Sequence, residues 1–220
     1  MEIKIISSSY TKKDMKIILE KAIKKCVKSQ NILAEFYMDV KLNYKQGFYW
    51  YMQAANQNDS DAEYNIANCY ALGKGVEYDM CEAMKWCAKA AIKNHVTAQY
   101  QLGSAYEKGK IGVVNIANAI LWYQKAAAQG NMESQYYLGK FYEQGKLGVP
   151  NMLKALELYK KSADQGFDKA EFKIGVFYES IGLMDEAIKW YKLSAEKNNY
   201  NAQNSLGLLY QKLANMEIEN

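Results

Sequence analysis

Ala98-Gln-Tyr-Gln-Leu-Gly-Ser-Ala-Tyr106 returns as Ser134-Gln-Tyr-Tyr-Leu-Gly-Lys-Phe-Tyr142. The same pattern stands upstream as Ala62-Glu-Tyr-Asn-Ile-Ala-Asn-Cys-Tyr70 and downstream as Ala170-Glu-Phe-Lys-Ile-Gly-Val-Phe-Tyr178, each copy 36 residues from the next. A fixed period in this range marks stacked supersecondary units, none of which can bury its apolar face without a neighbour. The copies read as helices, so the period predicts an all-helical array.

The second half of each unit repeats as well. Trp50, Trp86, Trp122, Leu158 and Trp190 form one column, followed by similar short segments such as Trp122-Tyr-Gln-Lys-Ala-Ala-Ala-Gln-Gly130 and Trp190-Tyr-Lys-Leu-Ser-Ala-Glu-Lys-Asn198. Three positions earlier stand Gly47, Ala83, Ala119, Ala155 and Ala187, small residues where a helix needs room for a close neighbour. This column reads as packing. Between the halves, Gly73, Gly109 and Gly145 sit just past a first helix, where glycine accepts the left-handed backbone that ends it. Asp79, Asn115 and Asn151 then precede the second helix, where a short side-chain oxygen can accept an orphan amide hydrogen bond.

The pattern Leu-Gly-x-x-Tyr-x-x-Gly-x-x-Gly-Val, followed by Ala-x-x-Trp-Tyr-x-x-Ala-Ala-x-x-Gly, resembles the Sel1-like repeat, a relative of the tetratricopeptide repeat with a longer inter-helix turn. The resemblance implies a right-handed α-solenoid of stacked antiparallel helix pairs. It covers units 29–61, 62–97, 98–133, 134–169 and 170–201 and a partial unit 202–212. The first and fifth units are short, and the fifth lacks the Gly-x-Gly-Val element, reading Glu179-Ser-Ile-Gly-Leu-Met-Asp-Glu-Ala187.

The ends read as caps. Met15, Ile18, Leu19, Ala22, Ile23, Cys26 and Val27 form a three-and-four spaced stripe, which predicts one amphipathic helix within a capping segment 1–28. At the other end Ala202–Tyr210 is a first helix without a second, and the tail 213–220 is expected to fray.

Half of the 220 residues are apolar and one is proline, consistent with a continuous core of uninterrupted helices. No apolar run is long enough for a membrane span, and Met1–Tyr10 does not resemble a secretory signal. A cytoplasmic protein is the expectation from these features. All 28 basic residues are lysine. Without arginine, the preferred bidentate reader of phosphates and guanine edges, sequence-specific nucleic-acid recognition is disfavoured. Nonspecific contact through the lysine-rich first helix stays open.

Cys26, Cys69, Cys81 and Cys87 form no Cys-x-x-Cys pair, so a zinc site is not expected. The leading reading is four small buried thiols. Pairing of Cys69 with Cys81 or Cys87 stays open and requires α-carbons within about 7 Å. Some relatives carry a repeated disulfide near the end of the second helix, but Ala90 and Ala98 stand at the matching positions here.

Catalytic groupings are not found. His95 is the one histidine, and it falls at a unit boundary, where a helix-end or packing role fits better than that of a general base. No enzyme activity, metal or cofactor is expected.

What remains is a surface. By analogy with tetratricopeptide units, first helices line the concave side, and two rows should point there. One is Asn68, Ser104, Lys140 and Val176; the other is Ala71, Glu107, Glu143 and Glu179. Both vary between units while the packing columns do not. Glu107, Glu143 and Glu179 form an acidic strip that either meets a basic or amide-rich peptide or is simply solvated. Changing all three to Lys is expected to abolish capture and leave melting intact. The column Tyr64, Tyr100, Tyr136 and Phe172 reads as core.

The resemblance implies a non-catalytic adaptor holding a protein or peptide partner in its concave groove. Two alternatives come with it: a regulatory subunit or hydrolase of cell-wall metabolism of the penicillin-binding type, and an exported microbial factor that acts on a host.

Overall fold

The computed structural model describes residues 10–110 and 112–218, with side chains to residue 215. Most of the amino-terminal run Met1–Tyr10, Ile111 of the third turn and the last two residues of the tail lie outside the described residues. Among those described there are twelve α-helices and no strand: α1 Lys12–Ile23, α2 Val27–Glu35 continuing as a π-helical turn over Phe36–Val40, α3 Tyr44–Ala55, α4 Ser60–Leu72, α5 Met80–Ile92, α6 Val96–Glu107, α7 Ile116–Ala128, α8 Met132–Glu143, α9 Met152–Ala163, α10 Asp168–Ser180, α11 Met184–Glu196 and α12 Tyr200–Ile218. In the first unit each helix from α1 to α6 packs on the next, and in the second each from α8 to α12 does, so the fold is an all-α array of stacked antiparallel helix pairs. The helices gather into two compact units, 1–119 and 120–220, whose boundary falls within α7.

Local chemistry sets the helix ends. Asp59, Asp79, Asn115, Asn131, Asn151 and Asn199 each accept a backbone N–H from the first turn of the following helix, the oxygens lying 2.8–3.2 Å away. Each cap stabilises its helix by about 1 kcal/mol. Gly73, Gly109 and Gly145 adopt φ of 64°, 67° and 69°, the left-handed backbone expected of them. Thr11 starts α1 with a capping box to Asp14.

In the first unit the core runs from Ile18 and Ala22 through Leu33, Ala34, Trp50 and Ala54 to Ile66. In the second, Ala155, Tyr159, Ala170 and Ile174 form one cluster, and Ala187, Tyr191, Ala202 and Leu209 form another. The small residues Gly47, Ala83, Ala119, Ala155 and Ala187 are all buried, as their close-approach role requires.

One expectation needs correcting. The amino-terminal stripe is not one helix: α1 ends at Ile23, Lys25 turns the chain at φ 64°, and Val27 opens α2. Ile23 and Cys26 are exposed. Helix α12 continues through Leu213 to Ile218. Beside the tryptophan column lies a deeper one. Trp86, Trp122 and Trp190 are half-buried, and the next residue, at Tyr51, Cys87, Tyr123, Tyr159 and Tyr191, is fully buried. On Trp86 and Trp122 an ammonium covers the outer ring face, Lys89 Nζ at 3.8 Å and Lys125 Nζ at 4.5 Å from the ring centroids.

In four of the repeats a polar seam joins the fourth residue of the first helix to the end of the second helix that follows. Gln57 Nε2 donates to Gln30 Oε1 at 2.7 Å, and Gln165 Nε2 to Gln135 Oε1 at 2.9 Å. In two units the same places hold a charge pair: Lys93 to Glu63 at 2.8 Å and Lys197 to Glu171 at 2.5 Å. Glu63 and Glu171 are buried, so each carboxylate needs its lysine.

Candidate functional site

Two of the three residues of the expected acidic strip are engaged within the fold. Tyr159 Oη donates to Glu143 Oε2 at 2.5 Å and Tyr191 Oη to Glu179 Oε2 at 2.6 Å. Glu143 also takes Lys173 Nζ at 2.9 Å. Burial, then the acceptor bond and the charge of the carboxylate, push both phenols well above the ordinary tyrosine range. Glu107, the third member, is the last residue of α6 in the first unit.

A glycine makes each of these pairs possible. A Cβ on Gly139 would come within 2.7 Å of the Tyr159 ring, and one on Gly175 within 2.5 Å of the Tyr191 ring. At these two pairs the glycine admits the ring, the ring fills the gap between the two helices, and the glutamate satisfies the phenol. In the first repeat Tyr51 is buried in one cluster with Ala34 and Met38 at the matching positions, so the ring is also accommodated without the other two.

In the unit built on α4 and α5 all three members are exchanged. Ala67, Ala71 and Cys87 stand where the repeats 134–169 and 170–201 have Gly139 or Gly175, Glu143 or Glu179, and Tyr159 or Tyr191. The loss of the ring leaves a cavity of about 310 Å³ between α4, α5 and α6, lined by all three exchanged residues. Two of the expected contact residues, Asn68 on α4 and Ser104 on α6, line this cavity as well. Its floor is buried at Ala83, Cys87 and Ala105, and its mouth is exposed at Leu72 and Lys110. The remaining residues of the expected row lie elsewhere. Lys140 on α8 rests 6.0 Å from the Tyr137 ring centroid, and Val176 on α10 packs half-buried against the Tyr191 cluster.

The aromatic column is half-buried and does several things. Tyr136 packs edge-on against Phe167 at 5.3 Å, while Tyr64 stacks on His95 at 4.5 Å and accepts from Gln101 Nε2 at 2.8 Å. His95 is the amino-terminal cap of α6, its Nδ1 accepting from Ala98 N at 3.1 Å. All four cysteines are free. Cys69 and Cys87 are buried, which raises both thiols to about 12, whereas Cys26 and Cys81 are exposed and depart from the expected buried set. The Cys87 thiol donates to the Ala98 carbonyl at 3.5 Å. Among the described residues no group of His, Cys, Asp or Glu could hold a metal ion, and no helix is long and apolar enough to cross a membrane.

The family model of the Sel1 repeat matches residues 27–59, 60–95, 96–131, 133–167 and 184–199. The chain belongs to the Sel1 repeat family. A Sel1 repeat protein from Oxalobacter formigenes is 30% identical, with a TM-score of 0.76 over 84% of this chain and 79% of that one. A protective antigen of uropathogenic Escherichia coli strains, described as displaying an SLR fold, is also 30% identical, with a TM-score of 0.79 over 88% of this chain. The chain spans 43% of that antigen's length. A putative Sel1 repeat protein from Klebsiella pneumoniae, 21% identical with a TM-score of 0.53 over 89% of this chain and 99% of that one, shares the fold. Among curated proteins none matches.

The first four matched Sel1 repeats begin one to two residues before the units read from the sequence, and the fifth match, 184–199, is confined to the second helix of its unit. The cavity was missed from sequence. Its signal was present as three breaks that coincide in one repeat, at Ala67, Ala71 and Cys87; the first repeat breaks two of these columns, at Ala34 and Met38, but keeps its ring at Tyr51.

Proposed function

We propose that this Sel1 repeat protein is a non-catalytic scaffold that holds a protein or peptide partner along the face of its first helices. The observation that supports the reading most directly is the contrast within those helices. Buried positions such as Ala62, Ala98 and Ala170 keep their character from unit to unit, while Asn68, Ser104, Lys140 and Val176 change size, polarity and charge. A rigid array with a variable face is suited to pre-organised recognition, because little ordering cost attends binding. Four unpaired thiols, two of them exposed, fit a reducing compartment, and we place the protein in the cytoplasm on that ground.

The test is capture followed by row variants. A partner recovered by affinity purification should bind the purified chain directly. Asn68→Lys with Ser104→Lys should then abolish binding while the helical signal and melting stay within error. Binding unchanged by substitutions along this face would refute the reading.

A second reading, an exported factor that acts on a host, draws support from the 30% identity to the protective antigen. Secretion of the tagged full-length chain would favour it, and retention in the cell would count against it.

A further inference from the structure

We infer that the cavity between α4, α5 and α6 is a receptor for an aromatic side chain of the partner, one flanked by an acidic residue. This deepens the scaffold reading and rests on it, since it names the anchor that the variable face receives.

The occupant follows from the repeats themselves. In the second unit, the gap beside Gly139 and the gap beside Gly175 are each filled by a ring from the chain, Tyr159 and Tyr191. At Cys87 the chain supplies only a thiol, while the helices keep the same pairing. A well-packed interior does not tolerate such a gap cheaply, because its lining loses contacts on one side. Here the gap opens to solvent at Leu72 and Lys110, so a ring can enter from outside. Its volume of about 310 Å³ stands at the lower end of ligand pockets.

The charge pattern sets the flanking residue. Glutamate leaves the site together with tyrosine, since Ala71 replaces the residue that would receive a phenol. Lys110 is then the one charged residue of the lining. A neighbouring cavity of about 400 Å³ shares Met80, Met84 and Lys110 with the first. Both are walled by the same two methionines, whose unbranched side chains can repack around rings of different size and offer sulfur–aromatic contact.

The test uses short capped peptides of defined sequence and the chain labelled at its methionine methyl groups. N-acetyl-Phe-Asp-amide should shift the Met80 and Met84 methyl resonances saturably. N-acetyl-Ala-Asp-amide should not, and N-acetyl-Phe-Lys-amide should bind about two- to fivefold more weakly, the contribution expected of an exposed ion pair. The triple variant Ala67→Gly, Ala71→Glu, Cys87→Tyr restores the set found in the second unit and should lose the response. Lys110→Glu alters an exposed residue and should reverse the Asp over Lys preference.

Absence of saturable shifts, or shifts that persist in a folded triple variant, would overturn the proposal. An unchanged charge preference in Lys110→Glu would overturn its acidic part. Should the triple variant fail to fold, Cys87→Phe serves as the filling variant under the same criterion. A partner still captured by a folded, cavity-filled chain would sink this inference and leave the scaffold reading standing.

Discussion

Tyr159 and Glu143 are bound to each other across one helix pair, phenol oxygen to carboxylate oxygen at 2.5 Å, and Lys173 from the next helix joins the same carboxylate at 2.9 Å. A residue read as part of a surface strip is thereby half-buried and tied to two neighbouring helices. Tyr159→Phe should lower unfolding stability by about 1.5 kcal/mol, the scale of a hydrogen bond to a charged group. Glu143→Lys should cost more, because the phenol is left without an acceptor and a second cation meets Lys173. Changing Glu107, Glu143 and Glu179 together to Lys should therefore reduce melting temperature as well as any binding. Chemical denaturation of the single and triple variants checks this. Melting unchanged in the triple variant would show that the pairs carry no weight.

The glycine partners predict a reciprocal pair of variants. Gly175→Ala gains about 1 kcal/mol of helix propensity. Its Cβ would meet the Tyr191 ring at 2.5 Å, and overpacking of that kind costs about 1–3 kcal/mol. We expect net destabilisation. Adding Tyr191→Cys should relieve the clash and leave a cavity like the one beside Cys87. A double-mutant cycle measures the coupling, and additive effects would contradict it.

The legible and illegible parts of this chain differ for a physical reason. Columns that repeat every 36 residues expose what all units share, so helix ends at Asp79 or Gly109 and the close approach at Ala155 could be read directly. Side-chain direction within a column is harder. Trp122 and Tyr123 are adjacent and both aromatic, and only packing decides that Tyr123 is buried while Trp122 keeps a lysine-covered face. Partnership between columns was harder still, since Glu143 and Tyr159 lie on different helices, 16 residues apart. The functional face we propose lies in the departures from the pattern, and those acquire meaning only when several departures meet at one place, as at Ala67, Ala71 and Cys87.

The polar seam exchanges as pairs: Gln135 with Gln165, Glu171 with Lys197. Lys197→Ala leaves the buried Glu171 without its cation. Breaking a buried pair from one side costs about 3–5 kcal/mol, and with Lys197 itself 39% exposed we expect about 2. The double exchange Glu171→Gln with Lys197→Gln installs the pairing of the preceding unit and should recover most of that loss. Denaturant unfolding of the two singles and the double decides it. A double variant as unstable as Lys197→Ala would mean that the seam is not interchangeable.

His95 makes the cap of α6 dependent on pH. Its Nδ1 accepts the Ala98 N–H, and a protonated imidazole has no acceptor left. Burial lowers its pKa below the ordinary 6.5, against the opposing charges of Asp61, 3.5 Å from Nε2, and of Asp59. Below pH 6.5 the unfolded chain therefore binds a proton that the folded chain resists, so stability rises with pH in that range. The contribution is complete above about pH 6.5 and is lost as pH falls through the folded value, by about 1 kcal/mol if the cap alone is broken. His95→Asn keeps a capping oxygen, as Asn131 does one unit later, and removes the titrating group. Unfolding measured from pH 8 to pH 5 should show a flatter profile for His95→Asn than for the parent chain, with both equally stable at pH 8. Parallel profiles would place the pH dependence elsewhere.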